Sequence, residues 1–265
     1  MTEIHVVDAF TDVAFRGNPA GVVILREERP AAWMQSVAAE MRHSETAFLL
    51  LPEDADAGRP VPLRWFTPVA EVDLCGHATL AAAHVLGGSV EFVTRASGRL
   101  SCEARDGWVD MDFPADRLEE IEAPDGLAGC FEGELTVEAV ARGRDDLLVQ
   151  VPSQEDVRGL RPDYAGLTAL SERLPVRGVI VTARGGDERS IVSRCFYPKV
   201  GVPEDPVTGS AHCTLATWWA PRLGGSELMA EQASPRGGMI RLRLDGDRVR
   251  LGGQAVSVLS GELRA

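Results

Sequence analysis

One long pattern occurs twice in this chain, and a fold must accommodate both copies in the same way. The first copy reads Arg64-Trp65-Phe66-Thr67-Pro68 and runs through Asp73-Leu74-Cys75-Gly76-His77-Ala78 to Leu86. The second reads Arg194-Cys195-Phe196-Tyr197-Pro198 and then Asp205-Pro206-Val207-Thr208-Gly209-Ser210-Ala211-His212, with Gly-x-Ala recurring 133 residues after its first occurrence. An echo at half of a 265-residue length is the mark of a duplicated unit, so two like halves are expected, with a site forming where they meet.

Both copies share one physical grammar. A polar approach with Asp and Pro leads to a Gly and then to a run of small and apolar residues, which reads as a loop entering a buried helix. Ala78 to Leu86 is interrupted only by Thr79 and His84, so this helix has no wet face. A glycine at the first turn lets a ligand approach the backbone, and the helix N-terminus offers N–H groups to a carboxylate. Alternatively, both glycines merely serve tight turns.

The charge balance narrows the partners. Asp and Glu number 40 against 27 Lys and Arg, a net charge of −13, whereas nucleic acids and anionic membrane surfaces need a basic footprint. Neither partner is expected. The N-terminal Met1 to Asp8 stretch is acidic where a signal peptide is basic, and no run reaches the length of a membrane span, so a cytoplasmic protein is expected. Five cysteines without a Cys-x-x-Cys pair indicate neither a disulfide framework nor a zinc ribbon, and read as small buried residues.

In chain order, strands are expected at 4–9 and 22–25, a helix from Pro30 to Met41, a strand after Glu45 and another at 63–66. Beyond the first helix motif, 90–94, 99–104 and 108–113 alternate like antiparallel strands separated by Ser97-Gly98 and Asp106-Gly107 turns. Residues 114–133 read as a linker with a short surface helix. The second half repeats the order, with strands near 134–138, at 146–151, 178–183 and 190–197, a helix within 163–174, and a terminal meander from Gly238. The domains are therefore 1–114 and 115–265, with the last strand free to return to the first domain.

Two residues near strand starts are candidates for a site. Glu45 precedes a buried strand, where partial desolvation raises a carboxyl pKa and suits it to passing protons; the alternative is a solvated strand end. Asn18, between Gly17 and Pro19, is either part of a turn or a wall of the site. No metal is expected from the histidines and cysteines, since His77 and His84 on one helix are about 10.5 Å apart along its axis. A Gly-x-Ser-x-Gly elbow fails at His212, and no Gly-x-Gly-x-x-Gly signals a nucleotide cofactor, so no cofactor is expected.

Five blocks in order, Asp8-Ala9-Phe10-Thr11 with Gly17 to Val22, Ser44 to Phe48, Arg64 to Pro68, Leu74 to Thr79, and Glu204 to His212, together resemble the PhzF-like family, named for the phenazine-biosynthesis isomerase. The resemblance spans nearly the whole chain. It implies an α+β, diaminopimelate-epimerase-like fold: two similar domains, each a curled, barrel-like antiparallel β-sheet around a central α-helix, with the active site in the cleft between them. It also implies a cofactor-independent isomerase of a small carboxylate-bearing metabolite. The best-known family reaction isomerises trans-2,3-dihydro-3-hydroxyanthranilate by moving a proton between carbons on a glutamate. By motif that glutamate is Glu45, with His77, Asp205 and Ser210 as its catalytic partners, Gly76 and Gly209 presenting backbone N–H groups to the substrate, and Asn18 beside them. Relatives often pair as homodimers. Cys75 departs from the phenazine enzymes and stands where related epimerases carry one of two thiols. The counterpart of Cys75 is Thr208, whose hydroxyl is far less acidic than a thiol, so two-base epimerisation is the weaker reading. A non-catalytic binder of the same fold would have no chemical reason to keep Glu45, His77, Asp205 and Ser210 together.

Overall fold

The computed structural model describes residues 2–53, 58–133 and 135–264. The chain divides into two compact units, Met1–Asp112 with Gly252–Ala265, and Phe113–Leu251. The C-terminal segment thus belongs to the first unit, and the two divisions fall inside single strands.

The first unit contains β1 (Thr2–Ala9), β2 (Asn18–Leu25), α1 (Ala31–Met41), β3 (Glu45–Leu50), β4 (Val61–Phe66), β5 (Glu71–Val72), α2 (Gly76–Leu86), β6 (Gly88–Val93), β7 (Arg99–Arg105) and β8 (Trp108–Pro114). The second contains β9 (Glu119–Ile121), β10 (Ala139–Arg142), β11 (Asp146–Gln150), α3 (Gln154–Gly159), α4 (Tyr164–Arg173), β12 (Gly178–Arg184), β13 (Ser190–Tyr197), β14 (Val202–Asp205), α5 (Gly209–Arg222), β15 (Glu227–Gln232) and β16 (Gly238–Asp245). The last strand, β17 (Arg248–Leu263), begins in the second unit and ends in the first.

The duplication is written in the strand pairings. In the first unit β1–β2 is antiparallel, β2–β3 parallel, β3–β4 and β4–β5 antiparallel, β4–β6 parallel and β6–β7 antiparallel. In the second, β10–β11, β11–β12, β12–β13, β13–β14, β13–β15 and β15–β16 repeat that series sense for sense. Each unit is therefore mainly antiparallel, as expected, with two parallel pairs. Each parallel pair follows a helical crossover, because parallel neighbours cannot be joined by a tight turn.

The helices account for the burial of the strands. β2 is a nearly continuous apolar run, since α1 covers the sheet from one side and α2 from the other. Met34, Val37 and Ala38 of α1 pack with Ile4, Val23, Leu25, Phe48 and Phe66, where the Phe48 and Phe66 rings meet edge-on at 5.4 Å. Residues 77–83 of α2 are buried without exception, and the helix touches β1, β2, β3, β6 and β7. Passage of β17 past this helix requires Gly253, where a Cβ would overlap the buried side chains of Phe10 and Leu80. In the second unit α3 and α4 cover one face with Val157, Leu167 and Leu170, while α5 packs on β15 and β16 and is buried through most of its length.

The repeated Arg-x-Phe motif performs the same task twice. Arg64 donates two hydrogen bonds to Glu71, both at 2.7 Å, and lies 5.0 Å from the centre of the Phe66 ring. Arg194 donates two to Glu204, at 2.8 and 2.9 Å, and lies 5.1 Å from the Phe196 ring. Each fork ties the strand before the buried helix, β5 or β14, to its antiparallel neighbour.

Several expectations are corrected. Residues 114–133 hold no α-helix; they contain β9 and one 3₁₀ turn at Ala128–Cys130. The strand expected near 134–138 lies at 139–142; Glu134 is outside the described residues, and 135–137 are irregular. α3, β14 and β15 were not foreseen.

The two forks differ in exposure, which decides their energetics. Arg194 and Glu204 have side chains only 10% and 9% exposed, while Glu71 is 32% exposed. Glu204→Gln leaves a buried guanidinium uncompensated and is expected to cost about 3–5 kcal/mol in urea unfolding. Glu71→Gln is expected to cost about 1 kcal/mol or less, and equal losses would contradict the assignment.

Candidate functional site

Parallel register brings the first set of candidate residues together. Ala20 of β2 stands opposite Glu45 of β3, so the start of β2 and the start of β3 lie side by side. Asn18 opens β2 and is fully buried. Ser44 donates to Asn18 Oδ1 at 3.3 Å, and its Oγ lies 3.4 Å from His77 Nε2. His77 is the second residue of α2, and its Nε2 is also 3.5 Å from Glu45 Oε2. Its other ring nitrogen, Nδ1, is 3.4 Å from Cys75 Sγ. The imidazole thus bridges a thiol on one edge and a hydroxyl and carboxylate on the other.

Burial within this group is graded. Cys75 and His77 are buried, whereas the Glu45 side chain keeps 20% of its surface exposed. Glu45 is therefore the most exposed of the three. Cys75 is the N-cap of α2 and makes no side-chain cap hydrogen bond, so the helix begins without its usual oxygen acceptor.

The head of α5 is built differently from the same backbone plan. Thr208 is the N-cap, again without a side-chain cap hydrogen bond. Its hydroxyl instead donates to Asp205 Oδ2 at 2.6 Å. Gln232 of β15, fully buried, accepts from Thr208 N at 2.8 Å and donates to the Asp205 carbonyl at 2.7 Å. Ser210 is exposed and accepts from Arg177 at 3.0 Å; Arg177 also pairs with buried Asp146 and lies 4.6 Å from the Tyr197 ring centre. Neither Gly76 nor Gly209 has a positive φ, so neither is demanded by backbone strain.

The two groups are thus Asn18, Glu45, Gly76 and His77 at the head of α2, and Asp205, Gly209 and Ser210 at the head of α5. Reading the sequence singled out neither Ser44 as a contact of His77 nor Gln232. Ser44 stood in the quoted Ser44-Glu45-Thr46 block and was discoverable there. Gln232 lies on the unforeseen β15 and carries no motif.

All five cysteines are buried, and none forms a disulfide. Burial pushes the Cys102 thiol up to about 12 and raises those of Cys130 and Cys195 as well. Among the described residues, Glu45, Cys75 and His77 offer ligand atoms that all lie within 4.8 Å of one another. These three come from β3 and the head of α2, so the separation of His77 and His84 along one helix has no bearing on them.

The family model described as "Phenazine biosynthesis-like protein" (PhzC-PhzF) matches residues 7–261. The chain belongs to this family. An "uncharacterized isomerase" of Halalkalibacterium halodurans is 45% identical over 99% of this chain and 98% of its own length. Another so named, from Pseudomonas aeruginosa, is 47% identical over the same shares. Among solved structures, a phenazine biosynthesis protein of the PhzF family from Enterococcus faecalis matches with a TM-score of 0.91 at 38% identity, covering 100% of this chain and 99% of the other. The family's diaminopimelate-epimerase-like fold is the one described above. No helix among the described residues is long and apolar enough to cross a membrane.

One titration at the head of α5 has a definite sign. His212 is fully buried, and its Nδ1 lies 2.7 Å from the Thr208 carbonyl. A carbonyl only accepts, so Nδ1 carries the proton, and Nε2 has no hydrogen-bond partner among the described residues. Burial pushes the imidazole down from 6.5 to about 4. The unfolded chain therefore takes up a proton below pH 6.5 that the folded chain refuses. The stability contributed is complete above pH 6.5 and is lost as pH falls toward 4, by on the order of 3 kcal/mol. Unfolding midpoints measured across this window should fall more steeply for the wild type than for His212→Asn, and identical slopes would contradict a buried neutral imidazole.

Proposed function

We propose that this protein is a cofactor-independent isomerase that moves a proton between two carbons of a small carboxylate-bearing metabolite, with Glu45 as the carrier. The observation that carries the reading is the placement of a partly exposed Glu45 carboxylate 3.5 Å from buried His77 at the head of a buried helix. Such a transfer needs one group that accepts and returns a proton, and fixed donors for the electron density left behind. Glu45 supplies the first. The N-terminus of α2, whose N-cap side chain does not close over it, supplies a positive dipole end for the substrate's carboxylate or for an enolate-like oxygen.

His77 stands 3.5 Å from the carrier and positions it, and Ser44, 3.4 Å from the same imidazole nitrogen, positions His77. Asp205, Gly209 and Ser210 at the head of α5 are assigned to the same turnover, as proton-handling and substrate-contacting groups. The isomerase names of the two bacterial relatives support the reaction class.

One observation separates this reading from two-base epimerisation. That chemistry needs an acid and a base on opposite faces of one carbon, and Thr208 stands at the counterpart of Cys75. The Thr208 hydroxyl is already given to Asp205 at 2.6 Å, and a hydroxyl is too weak an acid to alternate with a thiol. A single carboxylate carrier is the simpler account.

The test is label incorporation by the wild type. Incubated in deuterated water with a panel of cyclic amino and hydroxy acids, the protein is expected to place deuterium on carbon in at least one of them, read by NMR. Saturable binding with no label on any bound acid would instead mark the protein as a binder and overturn the proposal.

A further inference from the structure

Cys75, His77 and Glu45 are three different donor types, and each is one that borderline-soft metals take: thiolate, imidazole and carboxylate. Two are buried, on the first turn of α2, and the third reaches them from β3. We propose that these three residues form a binding site for a borderline-soft divalent cation, Zn²⁺ being the type, and that an ion held there blocks turnover. The second clause rests on the isomerase reading, because it assigns Glu45 and His77 to proton transfer; the first does not.

The geometry favours the thiol and imidazole as the primary pair. Cys75 Sγ and His77 Nδ1 are 3.4 Å apart. Sulfur and nitrogen ligands of a tetrahedral zinc, at about 2.3 and 2.0 Å from the metal, are themselves about 3.5 Å apart. The separation of the pair therefore already suits a shared ion. Glu45 contacts the opposite ring edge at 3.5 Å, with a carboxylate oxygen within 4.8 Å of the Cys75 and His77 ligand atoms, so that a turn of this partly exposed side chain would complete the set.

The surroundings complete the pattern expected of a bound imidazole. A metal-ligating histidine gives its other N–H to an acceptor, and that acceptor is in turn fixed. With Nδ1 on the ion, Nε2–H faces Ser44 Oγ at 3.4 Å, and Ser44 donates onward to Asn18 Oδ1 at 3.3 Å. Three protein ligands leave a fourth position for water. Hard cations are disfavoured, since Mg²⁺ and Ca²⁺ seek oxygen ligands and only one carboxylate is offered. On binding, the thiol proton of Cys75 passes to solvent; no electron changes hands.

Cobalt(II) is the probe, because thiolate ligation gives it a near-ultraviolet charge-transfer band. Titration of the full chain is expected to give this band with saturation at one equivalent, loss of the band on adding Zn²⁺, and no effect of excess Mg²⁺. In Cys75→Ser the band should vanish and Zn²⁺ affinity should fall by about 100-fold or more. Absence of the band in the wild type, or its persistence in Cys75→Ser, would overturn the site. Should the variant fail to fold, the wild-type titration alone decides. Zn²⁺ should also suppress deuterium incorporation until a chelator is added, and unaltered incorporation at saturating Zn²⁺ would overturn the second clause. Failure of the cation site leaves deuterium incorporation untouched, and failure of the isomerase reading leaves the cobalt band untouched.

Discussion

An arginine forked onto a glutamate across the two strands that precede a buried helix is the constraint on which each unit depends. In one unit it joins Arg64 to Glu71, in the other Arg194 to Glu204, and in both the guanidinium lies about 5 Å from the ring of the phenylalanine two residues on. A short strand such as β5, with only Glu71 and Val72, cannot hold its place through ladder hydrogen bonds alone. The fork fixes it, and with it the point at which the chain turns into α2. The same arrangement fixes β14 before α5. In this way a charged pair, buried in one unit and partly exposed in the other, sets the position of a helix start that carries the candidate chemistry.

From that shared frame the two helix heads have diverged. Both begin with a glycine behind an N-cap whose side chain makes no cap hydrogen bond. At α2 the residue four beyond the N-cap is Thr79, which returns a hydrogen bond to the Cys75 carbonyl at 2.6 Å. At α5 the equivalent residue is His212, whose ring does the same to Thr208 at 2.7 Å. The local architecture is thus conserved between the halves while the exposed chemistry differs. One head carries a thiol, an imidazole and a carboxylate in line; the other carries an Asp205–Thr208–Gln232 network and an arginine-bound serine.

Much of this was legible in the sequence, for reasons that can be named. The duplication could be read because the Arg-x-Phe motif and the Gly-x-Ala helix entry are each required by packing, so both copies kept them. Glu45 could be read because a polar residue immediately before Thr46-Ala47-Phe48-Leu49 must lie at a boundary between water and core. β15 was missed because Glu227-Leu228-Met229-Ala230-Glu231-Gln232 has low strand propensity, and its parallel pairing with β13 is decided by tertiary contact. α3 has a single buried residue, Val157, and so no apolar stripe; its capping box, Ser153 with Asp156, was the one local signal. The surface helix expected between 114 and 133 rested on charge alone, and there Glu119 to Ile121 pair with β10 instead. Cys75 beside His77 was beyond reach, since spacing along a helix does not reveal which edge of an imidazole faces which neighbour.

The claim that Glu45 carries the proton is tested most directly by separating binding from turnover in one variant. For a substrate on which the wild type acts, Glu45→Gln should bind it with an affinity within about tenfold of the wild type, measured by calorimetry, while kcat falls by about 100- to 10,000-fold. Turnover left at the wild-type rate in Glu45→Gln would contradict the account, whatever the binding.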